Sequence, residues 1–289
     1  MLRSKRSRSL ALPLAGMFLV LLSERLLAQA PAQPAPAATP QIQDNSFLVE
    51  EAYNQTPGVV QTIQTFSRMS GSGDWVYTLT QEWPVPRETH QLSVTIPVQG
   101  VTADTGRTQG LGDVALNYRY QLVGNGDAKV AVSPRLTLVL PSGDRKRSLG
   151  SGGLGIQVSL PVSLVLSNRL VTHWNAGATF TPSATDASGE TASLTSWNAG
   201  QSVVWLAHPR FNLFLETVVN SVQAFADGGG TERHLDVTVS PGARFAFNLP
   251  NDLQIVLGLA VPMGFGANHG QNSLFLYFSV ELPFWHPAR

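Results

Sequence analysis

Strict alternation of apolar and polar residues over long runs is the feature of this sequence that most restricts its fold. Between positions 154 and 166 every even-numbered residue is Leu, Ile or Val, while the odd positions from 153 to 163 carry Gly, Gln, Ser or Pro. A period of two places the apolar side chains on one face of a β-strand. A run of this length exceeds the usual globular strand of about five or six residues and matches a tilted strand that crosses a membrane. The pattern therefore predicts transmembrane β-strands.

Similar runs recur along the chain, and they number about twelve, an even count of the kind found in bacterial outer-membrane barrels. They begin near Gly58, Asp74, Glu88, Gly110, Lys129, Gly152, Leu170, Leu194, Phe211, Arg233, Asp252 and Ser273. Lipid cannot satisfy the unpaired backbone groups of an open sheet edge, so such strands must close on themselves. The sequence predicts an all-β fold: a transmembrane antiparallel β-barrel of about 12 strands over residues 58–289.

The connectors between the runs alternate in length. Those after odd-numbered strands are long and polar, at residues 99–109, 142–151, 183–193, 224–232 and 264–272. Those after even-numbered strands are tight, at residues 124–127, 167–169, 208–210 and 250–252. Outer-membrane barrels have short periplasmic turns and longer outer loops. We therefore expect both chain termini in the periplasm. Prolines inside the runs, Pro134 and Pro161, predict bulges because proline cannot donate to a ladder.

The first 30 residues have the features of a secretory signal peptide. Four bases between positions 3 and 8 precede the apolar run 10–22, and Ala28-Gln29-Ala30 is a small-residue cleavage site. The run is too short for a membrane-spanning helix, which needs about 20 residues. Removing the five bases and one acid of this stretch from nineteen of each leaves 14 bases and 18 acids. An acidic mature chain gives no support to nucleic-acid binding, and the absence of Cys excludes disulfide scaffolds and Cys-ligated metal sites.

A Pro/Ala-rich leader and a short N-terminal segment occupy residues 31–57. Asn45 or Ser46 is a candidate cap for a short helix that ends before Pro57. Its apolar residues Phe47, Leu48 and Tyr53 are candidates for a plug in the lumen or for a periplasmic arm.

Polar and charged residues on the inward phase of the strands are the candidates for solute selectivity, because lumen-facing side chains tune selectivity while lipid-facing ones provide stability. They are Asp113, Asn117, Arg119, Arg135, His173, Asn175, Glu216, Asp236, Tyr277 and Glu281. If the fourth and fifth strands turn about Asn125, facing positions sum to 250 and Asp113 is diagonal to Arg135, within reach of an ion pair. The alternative is a charge ladder that fills a narrow interior.

Enzymatic motifs are weak in this sequence. Residues 150–155 satisfy G-x-G-x-x-G, but a strand pattern follows where a dinucleotide site needs a helix. His90 with Ser93 and His269 with Ser273 are local pairs without the third group that a hydrolase needs. The lone histidines have no metal-ligand spacing. We expect no enzyme activity, no cofactor and no metal.

Three stretches, residues 44–55, 110–114 and 141–144 with 152–155, resemble the bacterial outer-membrane family of meta-pathway phenol-degradation proteins. The resemblance implies a Gram-negative outer-membrane location and transport of small, hydrophobic or aromatic molecules. Phe284 resembles the C-terminal aromatic residue of the outer-membrane assembly signal, although five more residues follow it.

The sequence thus predicts a porin-like channel or transporter of the outer membrane. Its expected partners are outer-membrane lipid, a small-molecule solute and the barrel-assembly machinery. Two other functions stay open: a barrel-embedded lipid hydrolase, and a structural or adhesive barrel that transports nothing.

Overall fold

The computed structural model describes residues 42, 46–85, 87–103, 106–226 and 228–284. The predicted signal peptide and the proposed cap residue Asn45 lie outside these residues. Within them the chain forms fifteen strand segments and a single 3-10 turn at Arg145–Arg147. The segments are β1 (Val59–Met69), β2 (Trp75–Pro84), β3 (His90–Ala103), β4 (Gly106–Leu111), β5 (Val114–Tyr120), β6 (Val130–Val132), β7 (Arg135–Leu140), β8 (Gly155–Ser167), β9 (Leu170–Thr185), β10 (Thr191–His208), β11 (Phe211–Phe225), β12 (Thr231–Asn248), β13 (Gln254–Ala260), β14 (Met263–Gly266) and β15 (Ser273–Pro283).

All pairings are antiparallel, and they close into a barrel. The sheet runs β11-β10-β9-β8-β7-β5-β3-β2-β1-β15-β13-β12, and β12 pairs back onto β11. The pairs β4 with β5, β6 with β7 and β13 with β14 are each one interrupted strand, because both members pair with the same neighbour. The fifteen segments are therefore twelve strands, and the predicted antiparallel barrel is confirmed.

Proline accounts for each interruption. Pro134 lies between β6 and β7, and Pro262 lies between β13 and β14. The third break, at residues 112–113, is opposite Pro97 of β3, whose carbonyl accepts a bond from Gly112. The predicted bulge at Pro161 is wrong. β8 pairs with β9 continuously across Pro161, and its register shift comes later, between Val165 and Ser167.

We call the end of the barrel where β1 begins and β15 ends the terminal rim, and the opposite end the hairpin rim. Connectors at the terminal rim include residues 168–169 and 209–210, which are the expected tight turns. At the hairpin rim, several predicted loops are largely strand. β9 continues to Thr185 and β10 already begins at Thr191. In the same way, β11 continues to Phe225 and β12 begins at Thr231. Continued ladder pairing satisfies backbone groups that a loop would leave to water.

Large apolar side chains cover the outer face of the barrel. Along β8, Ile156, Val158 and Leu160 are exposed, while Pro161 and Ser163 on the inward phase are buried. Exposed aromatic residues cluster near the terminal rim, among them Trp83, Tyr118, Tyr120, Trp205, Phe245 and Phe247. An apolar belt with aromatic residues at its border is typical of transmembrane barrels.

The predicted N-terminal helix is wrong. Residues 46–56 contain bends and irregular backbone and no helical turn. Their backbone N–H groups donate to side chains of the barrel wall, so they are not available for the bonds to preceding carbonyls that a helix requires.

The predicted register between the fourth and fifth strands is also wrong. Val114 pairs with Leu140 and Arg119 pairs with Arg135, so facing positions sum to 254. The chain does not turn tightly at Asn125, because Val123 first makes a bridge to Val132. A slip by an even number of residues leaves every side chain on its predicted face.

Candidate functional site

The interior wall of the barrel is mainly polar. Buried side chains alternate along the strands with the exposed apolar ones, and they include Gln61, Gln91, Ser93, Asn117, Arg119, Thr137, Ser163, His173, Ser202, Glu216, Ser240, Arg244 and Ser279. Among the predicted lumen residues, Asn117, Arg119, His173, Glu216 and Tyr277 are buried, and Arg135, Asn175, Asp236 and Glu281 are half-buried on the same phase. The structure therefore places these nine side chains on the inner face.

Residues 46–55, which we call the inner segment, lie against this polar wall. Ser46 Oγ donates to Ser202 Oγ of β10 at 2.9 Å. The segment next contacts β11, the neighbour of β10 on one side. It then contacts β9, β8, β5, β3 and β1, which lie on the other side of β10 and follow in this order around the sheet. It then leads directly into β1. The segment thus follows the inside of the wall near the terminal rim.

Glu216 of β11 holds the start of the inner segment. Its carboxylate accepts hydrogen bonds from the backbone N–H groups of Phe47, Leu48 and Val49, at 3.0 to 3.1 Å. Glu216 is fully buried, and the positive charge of Arg244 acts on it. Bonds from several N–H groups to one carboxylate are charge-assisted and stronger than neutral bonds. This carboxylate therefore fixes three consecutive residues of the segment.

Amide and hydroxyl side chains of the wall hold the rest of the backbone. Asn175 exchanges two bonds with Glu50, accepting from its N–H at 2.7 Å and donating to its carbonyl at 2.8 Å. Ser163 accepts from Ala52 N–H at 2.8 Å. Further along, the wall acceptors are Gln121 for Asn54 N–H and Gln91 for Gln55 N–H. These bonds satisfy backbone groups that would otherwise be buried without partners.

Arg119 of β5 binds the second half of the segment. Its guanidinium donates to the side-chain oxygen of Asn54 and to the carbonyls of Glu51 and Tyr53. The planar guanidinium presents several donors in a fixed arrangement, which suits it to gather three acceptors. Arg119 was a candidate for solute selectivity, and the structure shows its donors engaged by the chain itself.

The predicted ion pair between Asp113 and Arg135 is wrong. Arg135 forms an ion pair with Glu50 of the inner segment and donates to Gln157. Asp113 lies toward the hairpin rim, where it accepts from Gly143 N–H at 2.9 Å and from Ser151 N–H and Oγ, both at 2.6 Å. The register difference separates the two residues, and Asp113 instead fixes the connector 141–154.

Phe47 is the main apolar contact of the inner segment. Its ring stacks on Tyr277 with centres 4.7 Å apart and on Phe275 at 5.3 Å, and it meets the edge of Phe214 at 4.6 Å. A β-carbon added to Gly258 would overlap the Phe47 ring. Leu48 packs against the same apolar cluster, which lies on the β11, β13 and β15 side of the interior. Of the predicted plug residues, Phe47 and Leu48 therefore make the apolar contacts.

A serine and a histidine that sequence analysis did not pair are adjacent in the interior. Ser163 Oγ lies 2.7 Å from His173 Nδ1 across β8 and β9. The Tyr53 ring lies edge-on to His173 at 6.2 Å. The positive charge of Arg244 acts on His173, so the imidazolium that forms when a histidine takes up a serine proton would meet a like charge. Ser163 is moreover bonded to Ala52 N–H, so the pair serves to hold the segment.

Several contact residues were not among the sequence candidates, notably Phe214, Phe275, Gln91, Gln121 and Ser163. Glycine within strands is a sequence signal that could have indicated this contact area, because it often marks a close approach of other backbone. Gly258 lies under Phe47, and a β-carbon at Gly200 would come within 2.9 Å of Val49. Alternation alone does not distinguish such glycines from other inward positions.

No helix within the described residues has the length and apolar character needed to cross a membrane. No cluster of three or more His, Asp or Glu in the described part of the chain is arranged to hold a metal ion.

The chain matches one protein family and has several structural neighbours. The family model described as "Putative MetA-pathway of phenol degradation" matches residues 39–279. The NanC porin structure has a TM-score of 0.52 at 12% identity, over 78% of this chain and 100% of that one. The transport unit of the autotransporter AIDA-I from Escherichia coli has a TM-score of 0.45 at 11% identity, with 83% and 95% covered. The CymD monoaromatic hydrocarbon channel has 0.40 at 12%, with 80% and 90% covered. No curated protein matches the chain. The likeness to NanC shows a shared barrel fold.

Proposed function

Because this chain belongs to the family described as "Putative MetA-pathway of phenol degradation", with a match over residues 39–279, we propose that it is an outer-membrane channel for small molecules. We propose further that the inner segment is its gate. The observation that carries the proposal is the course of residues 46–55 along the inner wall, bonded to successive strands. A segment in that position narrows any path through the barrel.

The character of the two faces supports a channel. The outer face is apolar and suits lipid, whereas the inner face carries amides, hydroxyls and charges that suit water and polar solutes. The predicted signal peptide of residues 1–30 would direct export, and the barrel-assembly machinery would then insert the chain into the outer membrane. The terminal rim would face the periplasm, which places the inner segment at the periplasmic mouth.

The contacts of the inner segment suit a gate because they are all non-covalent, and about half of them are neutral hydrogen bonds. Such bonds contribute about 1 kcal/mol each, since water replaces them on release. Arg119 and Glu216 provide the stronger, charge-assisted bonds at its two ends. The segment is thus held firmly but reversibly.

A reversible cross-link tests this proposal. Ser46 Oγ and Ser202 Oγ are 2.9 Å apart, and the chain has no cysteine, so the double variant Ser46→Cys with Ser202→Cys places two thiols next to each other at little steric cost. We expect that oxidation abolishes single-channel openings in planar bilayers and that reductant restores them. The single variant Ser46→Cys is the matched control and should not respond to oxidation.

A variant lacking residues 31–55 completes the test. It should stay open longer than the full chain. Equal conductance of the oxidised and reduced forms would exclude the gate. If no form conducts, including the deletion variant, the channel is excluded and a structural or adhesive barrel is favoured.

A further inference from the structure

The described part of the inner surface contains an apolar area within a mainly polar wall. Around Phe47 the wall side chains Ile63, Val204, Phe214, Val256 and Phe275 form a buried cluster with Tyr277. A water-filled interior gains nothing from such a cluster, because apolar surface in contact with water is unfavourable. The inner segment covers it with the ring of Phe47 and the side chain of Leu48.

The place occupied by that ring, which we call the aromatic box, has a defined shape. Phe275 and Tyr277 are near-parallel to the Phe47 ring, at 23° and 11°, and Phe214 and Phe47 form a T-shaped pair at 78°. Stacked and edge-on arrangements are the two that aromatic rings prefer. Gly258 provides the floor, where any larger side chain would overlap the ring. The box therefore fits one planar six-membered ring.

The charges near the aromatic box bear on which rings would enter. Glu216 lies at the backbone of Phe47, and Arg244, whose positive charge acts on Glu216, pairs in register with Gly258 at the floor of the box. These two opposite charges offset each other, so the box has no net charge to attract an ionised ring. The side chains that form the box are themselves uncharged. The surroundings therefore favour a neutral single-ring aromatic compound.

We infer that the aromatic box is a binding site for a neutral, single-ring aromatic solute that competes with Phe47. Occupation of the box by the solute displaces Phe47, weakens the hold on the inner segment and opens the gate. This inference rests on the proposed function, since the displaced segment is the proposed gate. The chain thereby uses its own phenyl ring to keep the site filled while no solute is present.

Removal of the competing ring tests the inference directly. The variant Phe47→Ala leaves an apolar cavity lined by aromatic rings, and dry cavities of this kind bind benzene. Fluorobenzene is the probe, its binding is measured by fluorine NMR on the full mature chain in nanodiscs, and fluorocyclohexane is the non-aromatic control. We expect at least tenfold tighter fluorobenzene binding to Phe47→Ala than to the unmodified chain. Fluorocyclohexane should show no such gain.

Two further variants locate the binding. Leu160→Ala removes an exposed apolar side chain on the outer face of β8, outside the box, so it should bind as the unmodified chain does. Adding Gly258→Val to Phe47→Ala fills the floor of the box and should abolish the gain. Equal binding by Phe47→Ala and the unmodified chain, or equal gain for both probes, would overturn the inference.

The results also separate this inference from the proposed channel. If the cysteine cross-link controls conductance but Phe47→Ala gains no binding, the gated channel stands and the aromatic box is wrong. If Phe47→Ala binds fluorobenzene but no form conducts, the site stands and the channel is wrong.

Discussion

The ring of Phe47 stacks on the ring of Tyr277, with their centres 4.7 Å apart and their planes 11° from parallel. Phe47 belongs to the segment before the first strand, and Tyr277 belongs to the last strand. The contact therefore joins the two ends of the barrel-forming sequence inside the wall.

Substitution Gly258→Ala should loosen the inner segment, because the added β-carbon would overlap the Phe47 ring. The reporter is cleavage by a glutamate-specific protease after Glu50 or Glu51, of which Glu51 is buried. We expect faster cleavage, read as loss of the N-terminal peptide by mass spectrometry. Gly71→Ala is the matched control, since a β-carbon there meets open space. Equal cleavage of the two variants would show that the ring contact does not hold the segment.

Substitution Glu216→Gln should weaken the same segment through its backbone. The neutral amide keeps one acceptor atom but loses the charge that three N–H groups share. A loss of about 1 to 3 kcal/mol corresponds to roughly 5- to 150-fold in the docking equilibrium. The weaker docking of the segment should raise the open probability of single channels, which is the quantity to measure. Glu232→Gln, a half-exposed position of the same charge change, should leave the open probability as it is.

Substitution Asp113→Asn should destabilise the hairpin rim without altering ion selectivity. Asp113 binds the connector 141–154 through Gly143 and Ser151, so its charge is used within the wall. We expect a loss of about 1 to 3 kcal/mol in the stability of the folded barrel. On SDS gels, the fast-migrating folded band of the variant should therefore disappear at a lower heating temperature than that of the unmodified chain. The control is Asp252→Asn, in a turn at the terminal rim. Asp252 has a positive φ, which asparagine adopts as readily as aspartate, so this substitution should leave the stability unchanged. A change of selectivity in Asp113→Asn would contradict this role.

Substitution Leu160→Arg should strongly destabilise the barrel in a membrane. Leu160 is exposed on the outer face of β8, where arginine near the bilayer midplane costs about 2 to 4 kcal/mol. The yield of folded protein in lipid vesicles measures the effect. Ala187→Arg, in the hairpin turn 186–190, introduces the same residue outside the apolar belt and should fold normally. Equal yields would argue against lipid contact at Leu160.

The strands were predictable because alternation over many residues is a local property. The twelve predicted starts lie within four residues of the observed ones, the largest difference being Gly110 against Gly106. The inward phase of Asn117 and Glu216 followed from the same periodicity. The Asp113–Arg135 pair failed because it needed a register, and a register depends on where the turn between two strands closes.

The inner segment was not predictable in its conformation. Capping residues and early acids around Ser46 and Glu50 are also features of a helix start, and they indicated one. Wall side chains such as Asn175 and Ser163 accept hydrogen bonds from the N–H groups of this segment, and they come together only when the barrel closes. The local sequence around the segment does not indicate which distant side chains will surround it.

The order of contacts along the inner segment has a consequence for barrel size. Residues 47–55 reach from β11 to β1 along the wall, and an extended chain spans at most about 3.3 to 3.6 Å per residue. One additional hairpin would insert two strand spacings, about 10 Å, into that path. Glu216 and Gln91 would then lie too far apart for the same residues to bind both. The length of the segment therefore restricts the number of strands in the barrel. Because the segment precedes β1 in the chain, it is synthesised before all of the strands that it contacts.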